Sequence, residues 1–118
     1  MHINRVYHGG DGQTHFEDVD LPLPPTPDGT YQRSVPRQAG ETNFVSQPPG
    51  YFNDWHPAPA PRYFVILSGT AEVEVSDGEK RVLNGGDVVL FEDVDGPGHT
   101  MRVLGDVPRV AMHISLTD

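Results

Sequence analysis

The chain contains no cysteine, which removes disulfide staples, thiolate metal ligands and a cysteine nucleophile together. It has a single lysine, Lys80, and a formal net charge of -9. Nucleic acid is therefore not an expected partner, because phosphate backbones require a basic surface. Long apolar runs are missing as well. The longest, Phe64 to Leu67, is far below membrane-spanning length, and the start Met1-His2-Ile3-Asn4-Arg5 lacks the apolar stretch of a signal peptide. These absences lead to the expectation of a soluble, cytoplasmic protein with no membrane and no nucleic-acid partner.

Helix-compatible windows are also scarce. With 13 glycines and 12 prolines in 118 residues, almost no stretch runs three helical turns without a breaker. The length suits one domain, residues 1–118. The expected class is all-β, with candidate strands at Ile3–Tyr7, Thr42–Ser46, Tyr63–Leu67, Thr70–Val75, Lys80–Leu83, Asp87–Phe91, His99–Leu104 and Arg109–Leu116. Turn residues at Asp77-Gly78, Asn84-Gly85-Gly86 and Gly96-Pro97-Gly98 separate them at the spacing of a jelly roll or barrel. Within this frame, residues 41–118 read as the barrel core, and residues 1–40 as an N-terminal strand followed by a proline-rich arm. No internal repeat is visible.

Local patterns sharpen this reading. Ala71-Glu72-Val73-Glu74-Val75 alternates strictly, with apolar residues on one face and carboxylates on the other. Asp77-Gly78 then predicts a type I′ hairpin that brings Val75 near Arg81. Tyr63 to Leu67 is apolar at every position, so both of its faces must be covered, the outer one by a partner subunit or by the N-terminal segment of the same chain. Gly9-Gly10-Asp11-Gly12 lacks the Lys-Ser or Lys-Thr ending of a phosphate loop and reads as a turn. No serine has the context of a nucleophile elbow.

Gly50 followed after five residues by His56, with Gly69 closing the stretch, resembles the first signature of the cupin superfamily. Gly86-Asp87 leading into Val88-Val89-Leu90-Phe91, with His99 beyond, resembles the second. The resemblance covers residues 50 to about 103 and implies a cupin-like double-stranded β-helix, a jelly-roll barrel of two antiparallel sheets. The family's second metal-binding His and its Glu fall at Ala58 and Arg62, Glu92 stands where a proline is usual, His99 lies two residues beyond the family spacing, and Val103 replaces the trailing Asn. The frame of a metal site is thus present with half of its ligands replaced.

A guanidinium has no lone pair to give a cation, so Arg62 argues against a metal. No cofactor is expected; a metal held by His56 and His99 would need a substitute ligand, from Asp54, Glu92, Asp93 or His113. Without metal, His56 and His99 suit proton transfer as acid and base, with Arg62 holding a substrate carboxylate or an enolate. Asp54 and Asp93 are candidate orienters of the imidazoles. Asp54, two positions before His56, should share its face in a regular strand, although a turn role competes. Trp55, Phe64 and Met101 complete the expected substrate wall, although Trp55 also reads as a hydrophobic plug, as do Tyr51 and Phe52. His2, His8 and His15 are expected to face solvent. The expected function is a small-molecule enzyme of the cupin type, a metal-independent isomerase, cyclase or lyase acting on a carbonyl- or carboxylate-bearing substrate and forming a homodimer. The alternatives are a metal-dependent cupin oxygenase and a non-catalytic small-molecule-binding or sensor barrel.

Overall fold

The computed structural model describes all 118 residues. Ten strands follow one another: β1 (His2–His8), β2 (Thr14–Asp20), β3 (Ala39–Gln47), β4 (Phe52–His56), β5 (Arg62–Ser68), β6 (Thr70–Val75), β7 (Lys80–Asn84), β8 (Val88–Phe91), β9 (His99–Leu104) and β10 (Arg109–Leu116). A six-stranded sheet runs β2-β1-β8-β5-β10-β3 and faces a four-stranded sheet of order β4-β9-β6-β7. This is a jelly-roll sandwich, antiparallel throughout except that β1 pairs with β8 in parallel. No helix is long and apolar enough to cross a membrane.

The core follows from alternation. Along β6 the residues Ala71, Val73 and Val75 are fully buried while Glu72 and Glu74 turn outward, as a period of two dictates. Facing them across the sandwich are Phe64, Ile66, Val89, Phe91 and Ala111, all without solvent exposure. Ala58 joins this cluster, so the position where the family carries a second metal-binding His is filled by a methyl group in the hydrophobic core.

All eight expected strands are present, and two more lie outside that expectation. β2 holds Glu17, Asp18 and Asp20 in seven residues, a poor strand composition that pairing with β1 overrides. Together β1 and β2 make a hairpin whose Val6 and Phe16 enter the main core. The N-terminal region is therefore part of the sandwich up to Asp20, and only the segment after it is an arm. There Thr26 and Tyr31 close a tight turn, and Leu21 and Leu23 lie beside Tyr63 and Val65. The same-chain arm thus covers part of the outer face of β5, while Leu67 stays half-exposed.

The β6–β7 hairpin departs from the expected type I′ turn. Only Gly78 has a positive φ, +99°, and its N–H donates to the Val75 carbonyl, while the Val75 N–H donates to Glu79. This is a type I turn closed by a glycine bulge. The extra residue shifts the register, so Arg81 pairs with Val73 and not with Val75. Arg81 then reaches back to Asn4 and Asp18. His15 is also not solvent-facing. It is half-buried, bonded to Asp11 and Asp77 at 2.8 and 2.9 Å, while His2 and His8 are exposed.

Candidate functional site

His56 on β4 and His99 on β9 are direct cross-strand partners, and their ring centroids lie 4.5 Å apart. His99 is fully buried and stacked on Phe91 at 4.2 Å. Its Nδ1 lies 2.6 Å from the Oδ2 of Asp93, which is also fully buried. An ionised carboxylate accepts only, so Nδ1 carries the proton and Nε2 presents a lone pair to the interior. Burial lowers the pKa of His99, against the opposing pull of Asp93. The ring is thus held neutral.

His56 is set differently because β4 is bulged. Asn53 pairs with Met101 and His56 with His99, so three steps on β4 span two on β9. The bulge turns Asn53, not Asp54, onto the face of His56. The Nδ1 of His56 donates to the Asp54 carbonyl at 2.6 Å, and Asn53 Nδ2 approaches its Nε2 at 3.3 Å. Asp54 itself is exposed, its carboxylate accepting from the Trp55 N–H, so the expected carboxylate orienter of His56 is replaced by a backbone carbonyl and an amide side chain. Trp55 is 46% exposed and is not a core plug. Tyr51 and Phe52 are also exposed, Phe52 beneath Arg102.

Arg62 enters the same interior from β5, beside Phe64 and Ile66. It is half-buried, its Nε has no protein partner, and burial lowers its pKa against the attraction of Asp93. Asp93 Oδ1 and His99 Nε2 are likewise buried without partners. The structure thus brings His56, His99, Arg62 and Asp93 together. Phe64 lies deeper, edge-on to Phe91 at 5.9 Å, and Met101 contacts the guanidinium of Arg109.

Arg109, which the sequence reading did not single out, and His113, which it offered as a substitute metal ligand, also face inward. Arg109 on β10 is fully buried, donates to Gln47 and Met101, and lies 4.6 Å over the Phe64 ring. Desolvation pulls its pKa down to about 10. His113, also on β10, packs on Phe64 at 4.9 Å. Burial, with Arg62 and Arg109 nearby, lowers its pKa to about 4.

A cleft of about 470 Å³ opens over this region, lined by Arg62, His113, Ser115, Asn43, Thr42 and Glu41 with Pro59 and Ala60. Its wall includes Arg62 but neither His56 nor His99. The substitute metal ligands are dispersed. Glu92 is bonded to Arg5 at 2.6 Å, Asp54 faces solvent, Asp93 is held by His99, and His113 lies among the cleft residues. No three His, Asp or Glu side chains converge on one point, so the residues present do not fit an ion that requires three protein ligands.

Among solved structures, the cupin domain of Cnp3 from Schizosaccharomyces pombe is similar over 99% of this chain and 84% of its own, with 18% identity and a TM-score of 0.57. The chain has the cupin fold. The DMSP lyase DddQ from Ruegeria pomeroyi is similar over 76% of this chain but only 43% of its own, at 24% identity and a TM-score of 0.55. The SPY1581 protein of Streptococcus pyogenes, of unknown function, is similar over 72% of this chain and 71% of its own, at 19% identity and a TM-score of 0.50. No protein-family model matches the chain, and no curated protein matches it in sequence. These identities bear on the fold alone, and activity has to be argued from the site.

Proposed function

We propose that this cupin-fold protein is a metal-independent enzyme of the isomerase, cyclase or lyase type that moves a proton on a small substrate bearing a carbonyl or carboxylate. The observation that carries this reading is the buried Asp93–His99 pair, 2.6 Å apart, set against the His56 ring. Asp93 fixes the His99 tautomer, so Nε2 is available to take a proton from a carbon next to a carbonyl. His56, the less buried imidazole, keeps its Nδ1–H on the Asp54 carbonyl, takes a proton from solvent at Nε2 and passes it to a neighbouring substrate atom. Arg62 holds the substrate carboxylate or the enolate charge that develops. The reading requires the reacting carbon to reach beyond the cleft wall to the His99 ring.

Metal independence is supported by the residues themselves. The position of the second ligand is occupied by buried Ala58, and a guanidinium stands at the position of the carboxylate ligand. Lyase chemistry is represented in the fold by DddQ, a DMSP lyase. The proposal includes a homodimer formed through the outer face of the six-stranded sheet, where Leu67 is 50% and Phe44 70% exposed.

Solvent-exchange NMR tests the chemistry without a known product. Small keto acids incubated with the protein in D2O should lose their α-proton signals, and Asp93→Asn and His99→Ala should slow that loss by about a hundredfold, the usual share of a positioned acid or base. Folded variants that exchange at the wild-type rate overturn the reading. The complete burial of His99 and its absence from the cleft wall favour a second reading, a non-catalytic binding barrel, which predicts ligand binding with no exchange for any substrate.

A further inference from the structure

Two cations, half-buried Arg62 and fully buried Arg109, lie on the inner face of the six-stranded sheet, with one buried carboxylate, Asp93 of the β8–β9 loop, near Arg62. Arg109 has no exposed surface and is bonded only to the neutral groups of Gln47 and Met101, with its Nε unpartnered. Arg62 Nε is unpartnered too, and the buried carboxylate of the region, Asp93, is already bonded to His99. One positive charge is left without a partner, an arrangement a fold tolerates at a cost to stability. Phe64 connects the groups. Arg109 lies over its ring at 4.6 Å, His113 packs on it at 4.9 Å, and Arg62 is two residues away on the same face of β5.

We propose that Arg62 and His113, backed by the buried charge of Arg109 across the Phe64 ring, form a subsite in the cleft for an organic carboxylate monoanion whose apolar body lies against Pro59 and Ala60. A carboxylate supplies the missing charge and an acceptor for the guanidinium of Arg62, which has none in the protein. Neutral His113 can donate a further hydrogen bond from its ring N–H. A dianion such as phosphate overbalances the single unpaired cation and meets Glu41 at the cleft rim. The subsite deepens the acid–base reading, on which its role as the substrate's anchor rests, and it adds Arg109 and His113 to the residues that select the substrate.

The test is a thermal-shift and calorimetric titration with sodium benzoate and sodium butyrate, against sodium chloride and sodium phosphate at equal ionic strength. The carboxylates should raise the melting temperature above the chloride baseline, and phosphate should not. Arg109→Met removes an unpaired buried charge at similar volume, so the variant should melt no lower than wild type while binding benzoate at least about tenfold more weakly. In wild-type protein, benzoate should also shift the Nε–H resonance of a buried arginine in nitrogen-15 NMR spectra, a readout that does not depend on any variant folding. No carboxylate response, a stronger response to phosphate, or undiminished binding by folded Arg109→Met overturns the subsite. Arg109-dependent binding without proton exchange overturns the acid–base reading alone, whereas exchange without Arg109-dependent binding overturns the subsite alone.

Discussion

His113 is the residue whose protonation works most directly against the fold. Burial and the charges of Arg62 on β5 and Arg109 on its own strand lower its pKa from an ordinary 6.5 to about 4, with Glu41 of β3 the acidic group at the same cleft. Between those values the unfolded chain binds more protons than the folded one, so stability rises with pH. The contribution is complete above about 6.5 and is lost progressively as pH falls towards about 4. Denaturant midpoints measured from pH 7 to pH 4.5 should therefore fall less steeply in His113→Asn than in wild type. Parallel slopes would show that His113 titrates as an exposed histidine. His56 and His99 were legible because they keep signature positions. Arg109 was not, because an arginine opening a strand after Pro108 reads as a surface residue, and only the closed sandwich shows it fully buried. Trp55 was misplaced by the opposite rule, since the β4 bulge rotates a large aromatic out to solvent.

Element geometry at the site depends on a glycine. Gly98 immediately precedes β9, has a φ of +73°, and a Cβ built on it would lie 1.9 Å from the His56 carbonyl oxygen. No side chain fits there without moving the end of β4. Gly98→Ala combines left-handed strain with a backbone clash, so it should destabilise by about 2 kcal/mol or more and change the His56–His99 separation. Denaturant unfolding reads the first effect and the imidazole NMR shifts read the second. An alanine variant as stable as wild type, with unchanged histidine signals, would show that the approach is loose. The eight foreseen strands were legible from alternation and turn residues. The two others, β2 with Glu17, Asp18 and Asp20 and β4 with Asn53 and Asp54, owe their strand state to neighbours. The Asp77-Gly78 cue located the hairpin but not its register, because the bulge depends on backbone angles that the dipeptide leaves open.

For the whole molecule, the covering of the six-stranded sheet decides assembly. The arm reaches Tyr63 and Val65, while Leu67 and Phe44 remain exposed on the same outer face. Leu67→Asp would place a carboxylate in the proposed dimer contact, where an unpaired charge is costly. It should convert a dimeric wild type to a monomer on gel filtration at micromolar concentration. A monomeric wild type removes the dimer. The N-terminal hairpin fixes the timetable of synthesis as well as the sheet order. Asn4, Arg5 and Val6 pair with Val89, Leu90 and Phe91, so β1 cannot complete its pairing until β8 has been synthesised. Long-range pairing of this kind slows folding and leaves an unpaired strand edge open to other chains. The nascent chain must keep that edge of β1 protected until β8 arrives.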